Sequence, residues 1–491
     1  MPRPLSLALD LGTTSVAAIA VNVDGNVCRS VQHPNSAAIS NLPAGHAEQD
    51  PLGIRGVVID VLRELASDLP GTPVCLGLTG QMHGVLLVDD NRHPLTHLVT
   101  WQDRRCNQPS TRPHTSPQDQ SPVTWLQDYL TRCPEDDLVN TGCRPAPGYL
   151  GVTLATWLAS GSLSQEVLER TRRATFLADW VAAELTDTSI VTDRSNAAAS
   201  GVFDLANDVW SQALLDAGSI PPSWLPEIAG SGEPLGSLVP EWAAETGLPA
   251  GLPICTAIGD NQAAVLGSLP AEDSALQINV GTGGQINWPV PQFARVEGMD
   301  TRYLPIERFM LVGAGLAGGD AYAWVQKMVS ACLRTTGHDA AEEHVYRALT
   351  EAAQDVAADA DGLICQPLFR GTRREPHARG TFEGITISNF TPGHIARAVF
   401  NGIAEGFAWF HEQATATQPL HATRIVGSGN GLRNNPLLAD SLERRFGLPV
   451  YVPTHTQEAA FGAALLAGSH CGVWPDLLAA GASIRLEPFG S

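Results

Sequence analysis

Near the amino terminus, apolar positions come in short blocks with polar, glycine-bearing breaks. Leu5 to Leu9 reads as a strand and Val16 to Val23 as a second. Asp10-Leu11-Gly12-Thr13-Thr14 forms the turn between them, and Asp24-Gly25-Asn26 is a hairpin turn into a third strand. This is a meander, not the strand-to-helix turn of a dinucleotide-binding unit. From Pro51 to Ala66 the period lengthens, and Ile54, Val57, Val58, Val61, Leu62 and Leu65 fall on one face of a helix. Pro73 to Leu78 reads as a buried strand and Val85 to Asp89 as another, with Gln81-Met82-His83-Gly84 between them.

The pattern recurs. Leu276 to Val280, Gly281-Thr282-Gly283-Gly284, then Gln285-Ile286 is again strand, Gly-Thr turn, strand. Two such hairpins predict a duplicated architecture with a ligand between the copies. Thr391-Pro392 starts a helix carrying Ile395, Val399, Ile403 and Phe407 near helical period. Ile425-Val426 reads as a strand, and Gly427-Ser428-Gly429-Asn430-Gly431 as a glycine-rich loop. Asn434 to Phe446 reads as a helix ended by Gly447, and Leu448 to Val452 as a strand. Glu458 to Ala467 reads as a helix of small residues able to pack closely. Asn107 to Pro122 is expected to be a flexible surface loop, and Pro221 to Pro249 to be loop-rich.

At 491 residues the chain is too long for one core and predicts two or more domains. The net charge of -21 argues against nucleic acid or an anionic membrane as partner. The start of the chain lacks the charged and apolar regions of a signal peptide, and polar residues break its apolar stretch too early for a membrane span. Nine scattered cysteines, without metal-type spacing, suggest reduced thiols and a cytoplasmic protein.

Five segments carry candidate chemistry. Asp10, Gly12, Thr13 and Thr14 offer backbone amides, hydroxyls and a carboxylate suited to phosphates and Mg²⁺. Gly281, Thr282 and Gly283 form a second candidate phosphate hairpin. Gly429, Asn430 and Asn434 offer exposed backbone and amides to an adenosine. Gln81, Met82 and His83, with Trp101 and Asp103 shortly after, suit a polyol, whose many hydroxyls need hydrogen bonds and whose chain rests on an aromatic. Ile258-Gly259-Asp260-Asn261 places an acid at a strand-to-helix junction, where it can accept a hydroxyl proton. Taken alone, Asp260 reads as the cap of its helix, and each glycine turn reads as an ordinary loop. Their order along the chain is the stronger signal.

That order resembles the FGGY carbohydrate kinase family from about Leu5 to about Ala467. Gly380-Thr381-Phe382-Glu383-Gly384-Ile385 and the run His394 to Asn401 resemble its C-terminal signature, with Asn401 where an acid or Gln is usual. The resemblance implies an α/β chain of two actin-like (ribonuclease-H-like) ATPase domains with the active site in the cleft between them. Residues 1–268 would hold the sugar and the base, and 269–491 the nucleotide. It implies ATP and Mg²⁺, with Asp260 as general base and Asp10 organising the metal, directly or through water, and Asp260 also near it. Gln81, Met82, His83, Trp101, Asp103, Asp260 and Asn261 would line the sugar site. Gln81-Met82-His83-Gly84 resembles the xylulokinase and sedoheptulokinase branches, whereas Trp101-Gln102-Asp103 and Thr153, which stands in place of a signature Lys, resemble the latter. A ketose is therefore expected, sedoheptulose first, then D-xylulose or another ketose or polyol. A non-catalytic sugar or nucleotide sensor and a sugar-independent ATPase share the fold. Retention of Asp10 and Asp260 argues against the sensor, and the polyol loop against the ATPase. Monomer and homodimer both remain open.

Overall fold

Leucines at every second position of the first strand set the layering of the structure. In the computed structural model, which describes residues 3–112, 123–270, 274–305, 308–369, 371 and 377–490, β1 (Pro4–Leu11) is the middle of a mixed sheet. Leu5, Leu7, Leu9 and Leu11 face a core shared with α1 (Pro51–Ala66), α2 (Leu177–Thr186), Leu76 and Leu78. The alternate residues Ser6, Ala8 and Asp10 point to the other face. The strand that pairs in parallel with β1 brings Cys75, Gly77 and Thr79 beside them. One face is therefore leucine-rich, and the other is lined by small residues and ends in a carboxylate.

The sheet comprises β1, β2 (Ser15–Asn22), β3 (Val27–Pro34), β4 (Thr72–Gly80), β5 (Pro234–Ser237) and β6 (Pro253–Cys255), in the order β5-β6-β4-β1-β2-β3. Ile258–Gly259 adds a two-residue pairing beside the end of β4. The second sheet comprises β7 (Ala275–Val280), β8 (Gly283–Val290), β9 (Asp300–Leu304), β10 (Arg308–Ala317), β11 (Arg424–Ser428), β12 (Val450–Pro453) and β13 (Leu486–Pro488). Its order is β9-β10-β8-β7-β11-β12-β13. From β3 to β5 the pairings run antiparallel, antiparallel, parallel, parallel, antiparallel. From β10 to β13 they repeat in the same sequence, with β9 as an added edge. The hairpin echo seen in the chain is thus a duplication of whole sheets, the topology of two actin-like domains.

Between the sheets lie two exchanged helices. The first, α3 (Asp260–Ser268), follows the first sheet in sequence, yet its Val265 packs with Leu269, Ala275, Met310, Val312 and Val426 of the second half. A further helix after α4 (Gly319–Thr335) and α5 (Pro392–Thr417), namely α6 (Glu458–His470), comes from the second half. It packs Ala460, Ala464 and Leu465 against Ala8, Ile19 and Val21 of the first sheet. The two helices cross in backbone contact: a Cβ at Gly462 would lie 1.9 Å from the Ala263 carbonyl oxygen, and one at Gly267 would lie 2.0 Å from that of Glu458.

The helix expected over Pro51–Ala66 is present over that range, capped by Asp50. The region Pro221 to Pro249 is less loop-like than its composition suggests. It holds the strand Glu227–Ala229, β5 and a helix, Pro240–Thr246, whose proline sits in its first turn. The glycine-rich segment is partly regular as well: β11 runs to Ser428, Asn430–Arg433 makes one helical turn, and the following helix starts at Pro436, not Asn434. Of the segment Asn107 to Pro122, residues 113–122 lie outside the described residues, and Ser110 bonds Val123 at 2.8 Å. No described helix is long and apolar enough to cross a membrane.

Gly462→Ala is expected to lower stability by about 1–3 kcal/mol through overpacking at the helix crossing. Gly56→Ala, in α1 with nothing within 4 Å of the added carbon, should leave stability unchanged or raise it. Thermal and urea denaturation of the two variants provides the comparison.

Candidate active site

Asp260 opens α3, but it does not cap it. The N-cap is Gly259, and no side chain supplies a capping bond, so the cap reading of Asp260 is corrected. Its carboxylate sits in the first turn, where the helix field favours negative charge. The junction is fixed from behind. The Gly259 amide donates to Ser195 Oγ at 2.8 Å. Ser195 donates in turn to the buried Asp193 carboxylate, which also accepts from Ser231 Oγ at 2.6 Å and from the Asn196 amide at 2.9 Å. The sequence reading passed over Asp193 and Ser195, because a Thr-Asp-Arg-Ser run looks like any helix start.

Asp10 and Asp260 are brought together from the ends of β1 and of the Ile258–Gly259 pairing. Burial raises Asp10 to about 7, with repulsion from Asp260 adding to it. Burial raises Asp260 to about 6, although the Asn261 amide and the charge of Arg302 both pull it down. Asp10 Oδ1 is buried without a hydrogen-bond partner. Two desolvated carboxylates and an orphaned oxygen fit a hard cation such as Mg²⁺, which takes one or two carboxylates and completes its shell with water and phosphate. Among the described residues no group of three or more His, Cys, Asp or Glu that could hold a metal ion is present.

The sugar-loop residues form a closed polar ring. Thr13 Oγ1 donates to Gln81 Oε1 at 3.2 Å and accepts from Trp101 Nε1 at 2.9 Å. Gln81 donates to Gln49 Oε1 at 2.8 Å, and Gln49 donates to the Thr13 carbonyl at 2.8 Å. Thr13 is thereby tied to the sugar wall, while Thr14 stands exposed at the hairpin tip. The Trp101 ring is 42% exposed and offers an apolar platform. His83 adopts a positive φ of 74°, bonds the Ala199 carbonyl through Nδ1 at 2.8 Å and stacks on Tyr149 at 4.1 Å.

Three of the expected sugar-site side chains are engaged by other parts of the protein. Asp103 is buried and accepts from the Ala47 amide and the Arg105 guanidinium at 2.8–2.9 Å, so its carboxylate holds the loop together. Asn261 turns to the second sheet, donating to Asn287 Oδ1 at 3.2 Å in a chain that continues through Gln277 to Ser268 of α3. Met82 is buried against Gly259. Ala47, Asn287 and Gly259 are remote in sequence from the residues they meet, and short-range reading cannot see them; only Arg105, two residues from Asp103, is a local partner.

One buried residue beside Asp260 was not expected from the sequence. Arg302 reaches from β9 to the first half and is 4% exposed. It pairs with Asp300 at 3.2 Å, approaches His83 Nε2 at 3.5 Å and leaves Nε buried without a partner. Nothing in the short run Asp300-Thr301-Arg302-Tyr303-Leu304 sets this arginine apart from an ordinary strand residue.

The nucleotide-type segments also converge. The amides of Gly319 and Asp320, opening α4, donate to the carbonyls of Gly281 and Thr282 at 2.9 and 3.0 Å. Gly429 has φ 80°, and a Cβ there would meet the Val280 carbonyl at 2.5 Å, so only glycine lets this turn close on the hairpin. Asn430 and Asn434 are exposed beside it.

A duplicated actin-like fold, a Gly-Thr hairpin in each half and paired, half-buried acids near a polyol-type ring define a phosphotransferase of the actin-like ATPase class. The chain belongs to the FGGY family of carbohydrate kinases: residues 5–127 and 133–267 match its N-terminal domain, and residues 276–471 match its C-terminal domain. It is an ATP-dependent sugar kinase with an alcohol group as acceptor. It is similar to the sedoheptulokinase of Mus musculus, 28% identical over 94% of this chain and 97% of that protein. It is also similar to the glycerol kinase of Koribacter versatilis, 28% identical over 97% and 91%. A solved xylulose kinase from Rhodospirillum rubrum superposes with a TM-score of 0.84, at 25% identity, covering 98% and 93% of the two chains.

Protonation of Asp260 should set the acid limb of the reaction. The sugar kcat/KM is expected to rise with pH through about 6 and level off above it, as measured by initial rates of ADP release. The same burial works against stability: the folded-state values are raised, so stability present at low pH is lost as pH rises from the ordinary carboxylate range to about 7. Asp10→Asn should therefore raise Tm at pH 8 while depressing turnover, readable by calorimetry beside the same assay.

Proposed function

We propose that this kinase phosphorylates a primary hydroxyl of a ketose, converting sedoheptulose to sedoheptulose 7-phosphate in the cytoplasm. The observation that supports it most is the position of Asp260, beside Asp10 and the charge of Arg302, with Met82 of the Gln81–His83 loop packed on the adjoining Gly259. The similarity to a sedoheptulokinase over nearly the full length of both proteins favours this sugar. D-xylulose is the second reading, since the Gln81-Met82-His83-Gly84 loop resembles xylulokinases and a xylulose kinase shares the fold.

In this account residues 1–268 hold the sugar and residues 269–491 the nucleotide. The sugar chain lies on Trp101, its hydroxyls meet Gln81 and His83, and an oxygen near the acceptor hydroxyl takes the free Nε–H of Arg302. Asp260 accepts the proton of the acceptor hydroxyl as its oxygen attacks the γ-phosphate. Backbone groups of Gly12, Thr14, Gly281, Thr282 and Gly283 receive the phosphates, and Gly429, Asn430 and Asn434 receive the adenosine. Mg²⁺, held by Asp10 and Asp260 directly or through water, supplies charge neutralisation on the phosphates. Approach of the two halves excludes water and limits hydrolysis of ATP.

A coupled ADP-release assay over a panel of ketoses and polyols tests the reading. Sedoheptulose should give the highest kcat/KM. A higher value for D-xylulose or glycerol would reject the proposed sugar, and turnover without any sugar would reject the kinase mechanism. Arg302→Lys should raise the sugar KM by about tenfold or more while leaving the ATP KM nearly unchanged, because a lysine does not reproduce the guanidinium fork.

A further inference from the structure

Three cysteines far apart in the chain meet behind the candidate site. Cys75 lies on β4, Cys255 ends β6, and Cys471 follows the last turn of α6; together with Ala467 they form one buried cluster. The Cys255 and Cys471 sulfurs are 3.7 Å apart. Cys75 Sγ touches both of these thiols and also lies 3.3 Å from Ser6 Oγ, which engages it from β1. Cys255 is fully buried, whereas Cys471 is partly open to solvent. We propose that Cys255 and Cys471 are a reversibly oxidisable dithiol, with peroxide as the oxidant, whose closure to a disulfide switches the kinase off.

The roles follow from accessibility. Cys471 is the sulfur that a small oxidant can reach, and the adjoining thiols and His470 favour its thiolate. Burial and the neighbouring thiols instead hold Cys255 protonated. The Cys471 thiolate attacks one oxygen of hydrogen peroxide, breaking the O–O bond to give a sulfenic acid and hydroxide. The Cys255 sulfur then attacks the Cys471 sulfur and displaces water as its own proton leaves. Two thiols and one peroxide give one disulfide and two waters: the sulfurs are oxidised and the peroxide oxygens reduced. A dithiol reductant reverses the exchange.

The consequence for catalysis is geometric. A disulfide holds its sulfurs at about 2.05 Å, so closure draws the two sulfurs together by about 1.7 Å, shared between side-chain rotation and movement of the two elements. Cys255 stands five residues before Asp260, on the segment that runs through Ile258 and Gly259 to the base. Cys471 ends the helix whose Gly462 is already in backbone contact with Ala263 of α3. Both ends of the new bond pull on elements that position Asp260, and displacements of about 1 Å in an active site are enough for large rate losses.

The test treats the full-length protein with hydrogen peroxide, then with dithiothreitol. It follows intact mass, the linked peptides and kcat with the best sugar of the panel. The expected result is a loss of two hydrogens, a Cys255–Cys471 linked peptide and a kcat reduced about tenfold or more, all reversed by dithiothreitol. Cys471→Ser and Cys255→Ala should each abolish the link and the reversible loss. Cys28→Ser/Cys332→Ser, which removes the two exposed thiols, should retain both. Oxidation confined to Cys28 and Cys332, a link through Cys75 instead of Cys255, or a Cys255–Cys471 disulfide with unchanged kcat would each overturn the proposal. The mass and peptide readouts do not depend on which sugar is the substrate.

Discussion

Helix α3 comes from the chain of the first sheet and packs on the second, and α6 makes the reverse move. Where they cross, Gly462 and Gly267 bring backbone against backbone with no room for a methyl group. Much else in the molecule follows from this exchange. The first sheet must offer a face shallow enough to receive α6, hence Ser6, Ala8, Cys75 and Gly77 opposite the leucines of the same strands. The second sheet offers α3 the chain Asn261–Asn287–Gln277–Ser268, whose hydrogen bonds fix the rotation of the helix together with the packing of Val265. The end of the shallow face is Asp10, and the start of the exchanged helix is Asp260. The packing that joins the halves is thus also what brings the two acids together.

Placing two carboxylates where water is excluded works against stability and in favour of chemistry. Both are raised by burial, and Asp10 further by its neighbour. Phosphoryl transfer draws mainly on positioning and on charge stabilisation, so the desolvation that destabilises the empty site strengthens its interactions with a hydroxyl and a cation–phosphate cluster. Arg302 and the Asn261 amide keep Asp260 low enough to ionise near neutral pH. The Asp193–Ser195–Gly259 relay holds the backbone beneath it. These supports come from three separate segments, and that is why a single motif carries so little meaning by itself.

Much of this was legible in the chain. The meander β1–β3, α1 and the second hairpin follow from apolar period and turn chemistry, and the duplication was foreshadowed by two Gly-Thr turns. The residues Asp10, Thr13, Gln81, Trp101 and Asp260 were picked out by type and position, and the structure brings them into one site. What the sequence concealed were partnerships across long separations. Asp103 is a chemically apt sugar ligand until Arg105 and the Ala47 amide are seen to take its oxygens. Asn261 is likewise apt until Asn287 is seen beside it. Arg302 belongs to no motif, and only the fold shows it buried beside His83. The cysteines appeared scattered for the same reason.

The proposed phosphoryl transfer rests on Asp260 as the proton acceptor, and the direct measurement is the turnover of Asp260→Ala beside its affinity for ATP. Loss of the carboxylate should lower kcat by about a hundredfold or more while ATP binding, followed by calorimetric titration, stays near that of the unaltered protein. Turnover close to the unaltered value would remove Asp260 from the chemistry and leave it as the first residue of an interdomain helix.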